Sequence, residues 1–330
     1  MQKFTLTLLL LCLVGGATGA QIFMEPFNYA PGTTIGLWNE YRGDWNAVTN
    51  SSPEPVAESE QKTAYQYLVH PKFNFQDCAA DCLVLYNTSS SKRLQFGGVT
   101  LRCNDPANDT DLIHIKIQDN NSSGDFDRVF VYDRPGSSVW ADPTPTLRAT
   151  VRLLAIDARL VGQVDVDGDG LWDLELTKTS ALTVKAGPVG LCAYGGAQMD
   201  DFNLYDGVML NDTASPRPQP GATLTFVMRG FPNAQYVAAS SLGKVGIPLP
   251  DGRVVPLGPD GMFFASAQNL LPTLFRKYQG SMDGNGDASC SIALPKNPAL
   301  VGVTVFTAFV NTGGGYILNI SNDHQVTIIP

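Results

Sequence analysis

The chain is 330 residues long, with 22 lysines and arginines against 31 aspartates and glutamates and a formal net charge of -9. An acidic balance of this size disfavours nucleic acid and anionic membrane surfaces as partners, because the protein's own field repels both. The length exceeds one ordinary domain and suits two all-β domains, each large enough to bury a core.

Met1–Ala20 combines a cationic start at Lys3, an apolar run from Leu8 to Val14 and a small-residue end, Ala17-Thr18-Gly19-Ala20. This is the anatomy of a secretory signal peptide cleaved near Ala20. The apolar run is too short to span a bilayer, and no later stretch approaches the roughly 20 apolar residues a spanning helix needs. The expectation is an exported protein, extracellular, periplasmic or at the cell surface, whose mature part starts at Gln21 and, having lost Lys3, carries a charge of -10. Cys78, Cys82, Cys103, Cys192 and Cys290 stay in that part. An oxidising compartment permits disulfides, and the odd count leaves at least one thiol without a partner in the chain. Cys78 and Cys82 could close a small loop or pair instead with Cys103 and Cys192. A zinc site is the other use of Cys78-Ala79-Ala80-Asp81-Cys82, but no second Cys-x-x-Cys or His pair accompanies it.

From residue 21 to 206 short β-branched and aromatic runs alternate with Gly, Pro, Asn, Asp and Ser clusters, as in Leu112-Ile113-His114-Ile115-Lys116-Ile117 and Val129-Phe130-Val131-Tyr132. Helical periodicity is missing here, so an antiparallel sandwich or barrel is expected. Residues 207–221 read as a connector, because three prolines, Pro216, Pro218 and Pro220, favour an extended spacer. Residues 222–330 again show strands, at Thr223–Met228, Tyr236–Ala239, Ser289–Leu294, Val301–Val310 and Gln325–Ile329, with one helix candidate at Ser266–Tyr278 interrupted by Pro272. About a hundred residues with this strand count imply a small immunoglobulin-like or fibronectin-like sandwich.

Phe23-Met24-Glu25-Pro26-Phe27-Asn28-Tyr29-Ala30-Pro31-Gly32, followed by Trp38 and Gly43-Asp44-Trp45, resembles the opening of bacterial concanavalin-like, laminin-G-like jelly-roll domains. Met199-Asp200-Asp201-Phe202 resembles their closing strand, and Ile117-Gln118-Asp119-Asn120 with Gly124-Asp125-Phe126-Asp127-Arg128-Val129-Phe130 resembles their central strands in secreted planctomycete-type proteins. The resemblance covers residues 21–206 and implies a two-sheet jelly roll whose first and last strands lie together. Residues 222–330 are similar to a β-sandwich domain of unassigned activity that recurs in exported proteins of the same bacteria. The similarity rests on Gly246-Ile247-Pro248-Leu249-Pro250-Asp251-Gly252-Arg253 and Met282-Asp283-Gly284-Asn285-Gly286-Asp287-Ala288.

Enzyme motifs are scarce. A Gly-x-Ser-x-Gly elbow, His-Glu-x-x-His and a P-loop are absent. Of the three histidines, His114 sits in an apolar strand, while His70 and His324 read as loop residues. Glycoside hydrolysis needs two carboxylates flanking one sugar bond. Retaining hydrolases of the resembled architecture carry Glu-x-Asp-x-x-Glu or Glu-x-Asp-x-Glu, whereas Asp173-Leu174-Glu175 reverses the order and lacks the third acid.

The most chemically loaded run is Gln163 to Leu176. Val164 and Val166 alternate with Asp165 and Asp167, and after the Gly168-Asp169-Gly170 turn Trp172, Leu174 and Leu176 alternate with Asp173 and Glu175. A hairpin with one apolar and one carboxylate face is expected. Asp165, Asp167, Asp169 and Asp173 match positions 1, 3, 5 and 9 of a Ca2+ loop, with Gly170 at position 6. Leu176 stands at position 12, where a bidentate Glu belongs, so the run reads either as a solvated Asp-rich turn or as a calcium loop. Asp119, Asp125 and Asp127 form a weaker cluster of the same kind. In related carbohydrate-binding jelly rolls a structural Ca2+ lies where first and last strands meet; the resemblance places Glu25 with Asp200 or Asp201 there.

Sugars stack on exposed aromatic rings with polar groups at the rim. Trp38, Trp45 and Trp140 are the candidates, with Tyr41 and Tyr194 also available. The sequence thus leads to a secreted, non-catalytic binding or adhesion protein for polysaccharide or cell-surface glycan, with structural calcium. The rivals are a polysaccharide-active hydrolase or lyase and a structural surface component.

Overall fold

A computed structural model describes residues 23–25, 38–42, 44–49, 55–59, 64–91, 94–134, 136–182 and 186–330, with backbone alone at 23–25, 49, 55 and 59. The expected signal peptide, residues 1–20, lies outside them. Among the described residues no helix is long and apolar enough to cross a membrane. The chain divides into two compact units, one of which spans Phe23–Leu204 and the other of which includes Tyr205–Pro330.

The first unit is a two-sheet antiparallel jelly roll. One sheet contains β1 (Phe23–Glu25), β3 (Trp45–Thr49), β4 (Pro55–Ser59), β6 (Cys78–Leu85), β11 (Arg148–Ile156), β12 (Arg159–Asp165), β13 (Leu174–Thr179) and β15 (Gln198–Tyr205). Its order is β13-β12-β11-β6-β15-β4-β3, with β1 also on β15. Phe23 lies opposite Leu204 and Glu25 opposite Phe202, so first and last strands pair.

The second sheet contains β2 (Asn39–Tyr41), β5 (Gln66–Phe75), β7 (Phe96–Leu101), β8 (Leu112–Gln118), β9 (Arg128–Arg134), β10 (Ser138–Ala141) and β14 (Gly187–Tyr194). They run in the order β10-β9-β8-β7-β14-β5-β2. Period-2 alternation decides what each strand buries. On β8, Ile113, Ile115 and Ile117 enter the core between the sheets, and on β9 Val129 and Val131 do the same. Facing sheet one they meet Cys82, Val84, Val151, Leu153 and Val164. The alternate residues of β8 and β9 are thereby turned to the outer face of sheet two.

Trp45 is fully buried and Trp38 is 6% exposed, and both belong to this core. Trp38 sets its ring edge-on to His70 and Phe202. This corrects the expectation that these two tryptophans offer a face to sugar: in a sandwich the largest apolar side chains gain most from burial. His70 and His324 are likewise buried, on β5 and on the last strand of the chain, rather than in loops.

All five cysteines of residues 21–330 are buried and none is in a disulfide, where disulfides were expected. Cys78 and Cys82 both face the core from β6, four residues apart on one strand. At about 3.3 Å per residue their Cα atoms are roughly 13 Å apart, beyond disulfide reach. Cys103 and Cys192 lie in a separate cluster with Tyr67, Val69 and Leu112. Burial pushes the Cys103 thiol up to about 12.

The second unit is a smaller sandwich. One sheet orders β16 (Val208–Asn211), β17 (Thr223–Arg229), β23 (Asp287–Ala293) and β21 (Phe275–Arg276) as β16-β17-β23-β21. The other orders β22 (Gln279–Ser281), β18 (Gln235–Ser241), β24 (Thr304–Gly313) and β25 (Tyr316–Ile320), with β26 (His324–Thr327) also on β24. β19 (Ile247–Pro248) and β20 (Val254–Val255) form a separate ribbon. Leu224, Phe226 and Met228 of β17 alternate into a core with Tyr236, Phe275, Tyr278, Ile292 and Phe309. Of the segment read as a connector, Val208–Asn211 is a strand paired along β17, and the proline-bearing residues after it form none. The helix α1 occupies Gly261–Ala267 rather than 266–278. Asp260 caps it by accepting from Phe263 N at 2.8 Å, a start signal that precedes the apolar pattern.

Candidate functional site

The outer face of sheet two is built by register. Tyr41 lies opposite Tyr67, Tyr67 opposite Cys192, Cys192 opposite Gly98, Gly98 opposite Lys116, Lys116 opposite Phe130, and Phe130 opposite Trp140. Directly opposed residues point to the same face, so this is one row across all seven strands of the sheet. A neighbouring row runs Tyr194, Phe96, Gln118, Arg128, and another runs Thr100, His114, Tyr132, Ser138.

Lys116 is the centre of this face. It is 3% exposed, and its Nζ lies 4.3 Å from the ring centre of Phe96, 5.0 Å from Phe130, 5.1 Å from Tyr65 and 5.2 Å from Tyr132. It donates to Tyr65 Oη at 2.9 Å. Among the described residues no carboxylate is ion-paired with it. Burial lowers its pKa to about 8, with Arg134 pushing the same way. Gly98 is glycine because a Cβ there would stand 2.0 Å from the carbonyl oxygen of Ile115.

Arg134, at the end of β9, lies over the same two tyrosines, its guanidinium carbon 5.1 Å from the Tyr65 ring and 5.6 Å from Tyr132. Its Nη1 is 3.1 Å from Asp109 Oδ2, and Arg42 Nη1 is 3.8 Å from the same oxygen. Tyr67 donates its hydroxyl to the other oxygen of Asp109. His114 is fully buried between Tyr65 and Tyr132, and neither ring nitrogen has a hydrogen-bond partner. Burial first, then Lys116 and Arg134, hold its pKa well below the usual histidine range, so the imidazole is neutral.

Trp140 is the outermost ring, 53% exposed on edge strand β10. Arg128 stacks on it at 4.3 Å and is held by Asp142 through bonds of 2.6 and 3.2 Å. Phe130 stacks on Tyr132 and Tyr194 on Phe96, at centroid distances of 5.5 and 5.4 Å. Tyr65, Phe130, Tyr132 and Tyr194, half-buried over the buried Tyr67, Phe96 and Lys116, and the exposed Trp140 give a surface on which a flat apolar ligand face can lie. Of the aromatic candidates named from the sequence, Trp140, Tyr194 and Tyr41 are on this face. Sequence reasoning missed Tyr65, Phe96, Phe130, Tyr132, Lys116 and Arg134. The signal for part of this set is the alternation His114-x-Lys116 and Phe130-x-Tyr132-x-Arg134.

The acidic hairpin lies on sheet one, in the turn between β12 and β13. Carboxylate oxygens of Asp165, Asp167 and Asp173 lie within 4.8 Å of one another, Asp165 buried and the other two exposed. Backbone amides organise them: Gly168 N and Gly170 N donate to the two oxygens of Asp165 at 2.7 and 2.9 Å, and Val166 N donates to Asp173 at 2.8 Å. Burial, offset by these amides, raises the pKa of Asp165. Asp169 is outside the group and accepts from Leu171 N at 2.7 Å. Leu176, at position 12, packs against the core. Trp172 departs from the expected apolar face: its ring covers Arg152 at 4.6 Å, ahead of the first strand residue, Leu174.

The other acidic candidates are engaged locally. Asp119 is buried and accepts from Ser123 N, Gly124 N and Tyr86 Oη at 3.0 to 3.1 Å, which closes its own turn. Asp125 accepts from Ser123 Oγ and Asp127 from Asn120 N. Asp200 is buried and accepts from Asp201 N at 2.9 Å, and Asp201 is exposed at a φ of 49°. The Glu25 side chain lies outside the described residues.

No family model matches the sequence, and no curated protein matches it either. Among solved structures the chain is similar to the carbohydrate binding module CBM66 from Bacillus subtilis, at 10% identity over 51% of this chain and 94% of that one, with a TM-score of 0.36. It is also similar to lectin II from Ulex europaeus, at 11% identity over 57% and 98% with a TM-score of 0.39. A third likeness is to the Ca2+/Man-bound VIP36 exoplasmic/lumenal domain, at 12% identity over 58% and 94% with a TM-score of 0.38.

Proposed function

We propose that this is a secreted, non-catalytic glycan-binding protein whose jelly-roll unit takes a polysaccharide or cell-surface glycan on the outer face of sheet two. The observation that carries the reading is the cross-strand row from Tyr67 through Lys116 and Phe130 to the exposed ring of Trp140, flanked by Tyr194, Phe96 and Tyr132. Aromatic anchors set beside fixed donors are what a sugar ring needs. A binding role rather than hydrolysis is supported by the two rim carboxylates. Asp109 is held by Arg134, Arg42 and Tyr67, and Asp142 by Arg128, so each is already engaged with cations or a hydroxyl rather than poised as a free general acid or base. Export is supported by the apolar segment Leu8–Val14 behind Lys3.

The reading includes a structural Ca2+ at the β12–β13 turn. Three carboxylates supply hard oxygen donors, each with lone pairs left beyond its backbone bonds, and such a cation would neutralise three like charges that the turn forces together. Screening polysaccharides by affinity electrophoresis tests the binding function. Retardation by at least one glycan, with no reducing ends released, is the expected result, and release of reducing ends contradicts the non-catalytic part.

A further inference from the structure

We infer that the ligand of this face is an acidic glycan, one bearing uronate or sulfate groups, with Arg134 and Arg42 receiving the anion and Lys116 adding positive charge from beneath the rings. The inference rests on the glycan-binding reading above and narrows its ligand class.

Two cations are packed around one pair of rings. Lys116 Nζ and the Arg134 guanidinium each lie between 5.1 and 5.6 Å from the centres of both Tyr65 and Tyr132. Arg42 joins them through Asp109, and that single carboxylate serves both arginines. Among the described ion pairs, Lys116, Arg134 and Arg42 therefore have one carboxylate between them, and it is already shared by the two arginines. The like charges feel one another: Arg134 lowers the pKa of Lys116, and both lower that of His114. His114 is held neutral and adds no further positive charge. Arg128 is balanced by Asp142 and does not add to the excess.

A protein of net charge -9 that concentrates positive charge on its most aromatic face is set up for an anion there. The local dielectric is low beside the rings, so an anionic oxygen gains more from these cations than it would in water. Donors are also left over. Arg134 Nε is buried without a hydrogen-bond partner, while the Arg134 and Arg42 side chains are 29% and 33% exposed, so the rest of each guanidinium is at the surface where a chain of sugars would pass. A guanidinium suits carboxylate and sulfate because its planar donors match two oxygens at once. A neutral glycan would use the rings and leave this excess charge unanswered.

The experiment measures binding of the mature protein to polygalacturonate, alginate and chondroitin sulfate, beside fully methyl-esterified polygalacturonate and dextran as neutral probes. The decisive comparison is polygalacturonate with its methyl ester, since the backbone is the same and only the charge is masked. The expected result is binding of at least one acidic polymer at least tenfold tighter than either neutral one. That binding weakens as salt rises from 0.05 to 0.5 M, and both Arg134→Gln and Arg42→Gln weaken it several-fold. Arg42→Gln is the safeguard against misfolding, because Arg42 is exposed and its ion pair is the longer one. Equal binding of charged and masked polymers, or binding of neutral polymers alone, overturns the acidic class and leaves the glycan reading standing. Binding of no polymer in this set or in a broader neutral panel overturns both. Acidic binding unchanged in both arginine variants overturns the assignment to this face.

Discussion

Lys116 Nζ sits 4.3 Å from the ring centre of Phe96, buried and without an ion-paired carboxylate among the described residues. Cation–ring attraction of about 0.5 to 2 kcal/mol per desolvated contact offsets part of the cost of holding the ammonium out of water. It does not offset all of it, since the pKa has fallen from 10.5 to about 8.

That imbalance fixes a pH dependence. The unfolded chain keeps Lys116 protonated up to its ordinary pKa, whereas the folded chain releases the proton near 8, so at this site the unfolded state binds more protons between the two values and the Lys116 contribution to stability rises with pH there. The full shift is worth on the order of 3 kcal/mol. Tyr65, pushed up to about 12 chiefly by burial, acts oppositely once the unfolded chain's tyrosines ionise near 10. Cys103, Cys192 and Cys290, whose thiols burial also pushes up, oppose it earlier, once unfolded thiols ionise near 9. The Lys116 contribution is therefore read as a difference: between pH 8 and 10 the stability of the wild type relative to Lys116→Met, from denaturant melts, should rise. A difference that stays constant would rule Lys116 out as its source.

Gly98 tests the backbone beneath the face. A Cβ at this position would meet the Ile115 carbonyl oxygen at 2.0 Å, and backbone cannot step aside as a flexible side chain can. Gly98→Ala should cost about 2 to 3 kcal/mol, read as a lowered denaturation midpoint. A midpoint unchanged within error would mean that β7 and β8 are not in the register described.

The calcium reading is separable from glycan binding. Millimolar Ca2+ should raise the melting temperature of the wild type relative to chelator, because a ligand of the native state alone adds stability, about 2.7 kcal/mol at a hundred times its dissociation constant. Asp165→Asn should abolish the difference, since Asp165 is the buried member of the three. Identical melting with Ca2+ and with chelator would leave the hairpin as an amide-capped turn.

Much of the fold was legible because alternation is a local signal. Ile113, Ile115 and Ile117 had to share one face of β8, and Leu224, Phe226 and Met228 one face of β17, whatever lay opposite. The turn acids Asp165, Asp167 and Asp173 were found for the same reason, being eight residues apart at most. The proposed binding face was not legible, because Phe96, Lys116 and Tyr132 meet only through the register of β7, β8 and β9, and Tyr65, just ahead of β5, is brought beside them by β14, a strand far from both β5 and β7 in sequence. Tryptophan identity misled in the other direction. Trp38 and Trp45 have the chemistry of a sugar platform, and only tertiary packing distinguishes them from Trp140.

Trp140 is the tryptophan more than half exposed, whereas Trp38 and Trp45 are buried and Trp172 rests on Arg152. The most direct measurement is intrinsic tryptophan fluorescence of the protein, titrated with any polysaccharide that retards it in affinity electrophoresis. A saturable spectral change is expected that is lost in Trp140→Ala, whose affinity in affinity electrophoresis is lower by about tenfold, as removal of one aromatic anchor of about 1.4 kcal/mol implies. Wild-type affinity in Trp140→Ala would contradict it.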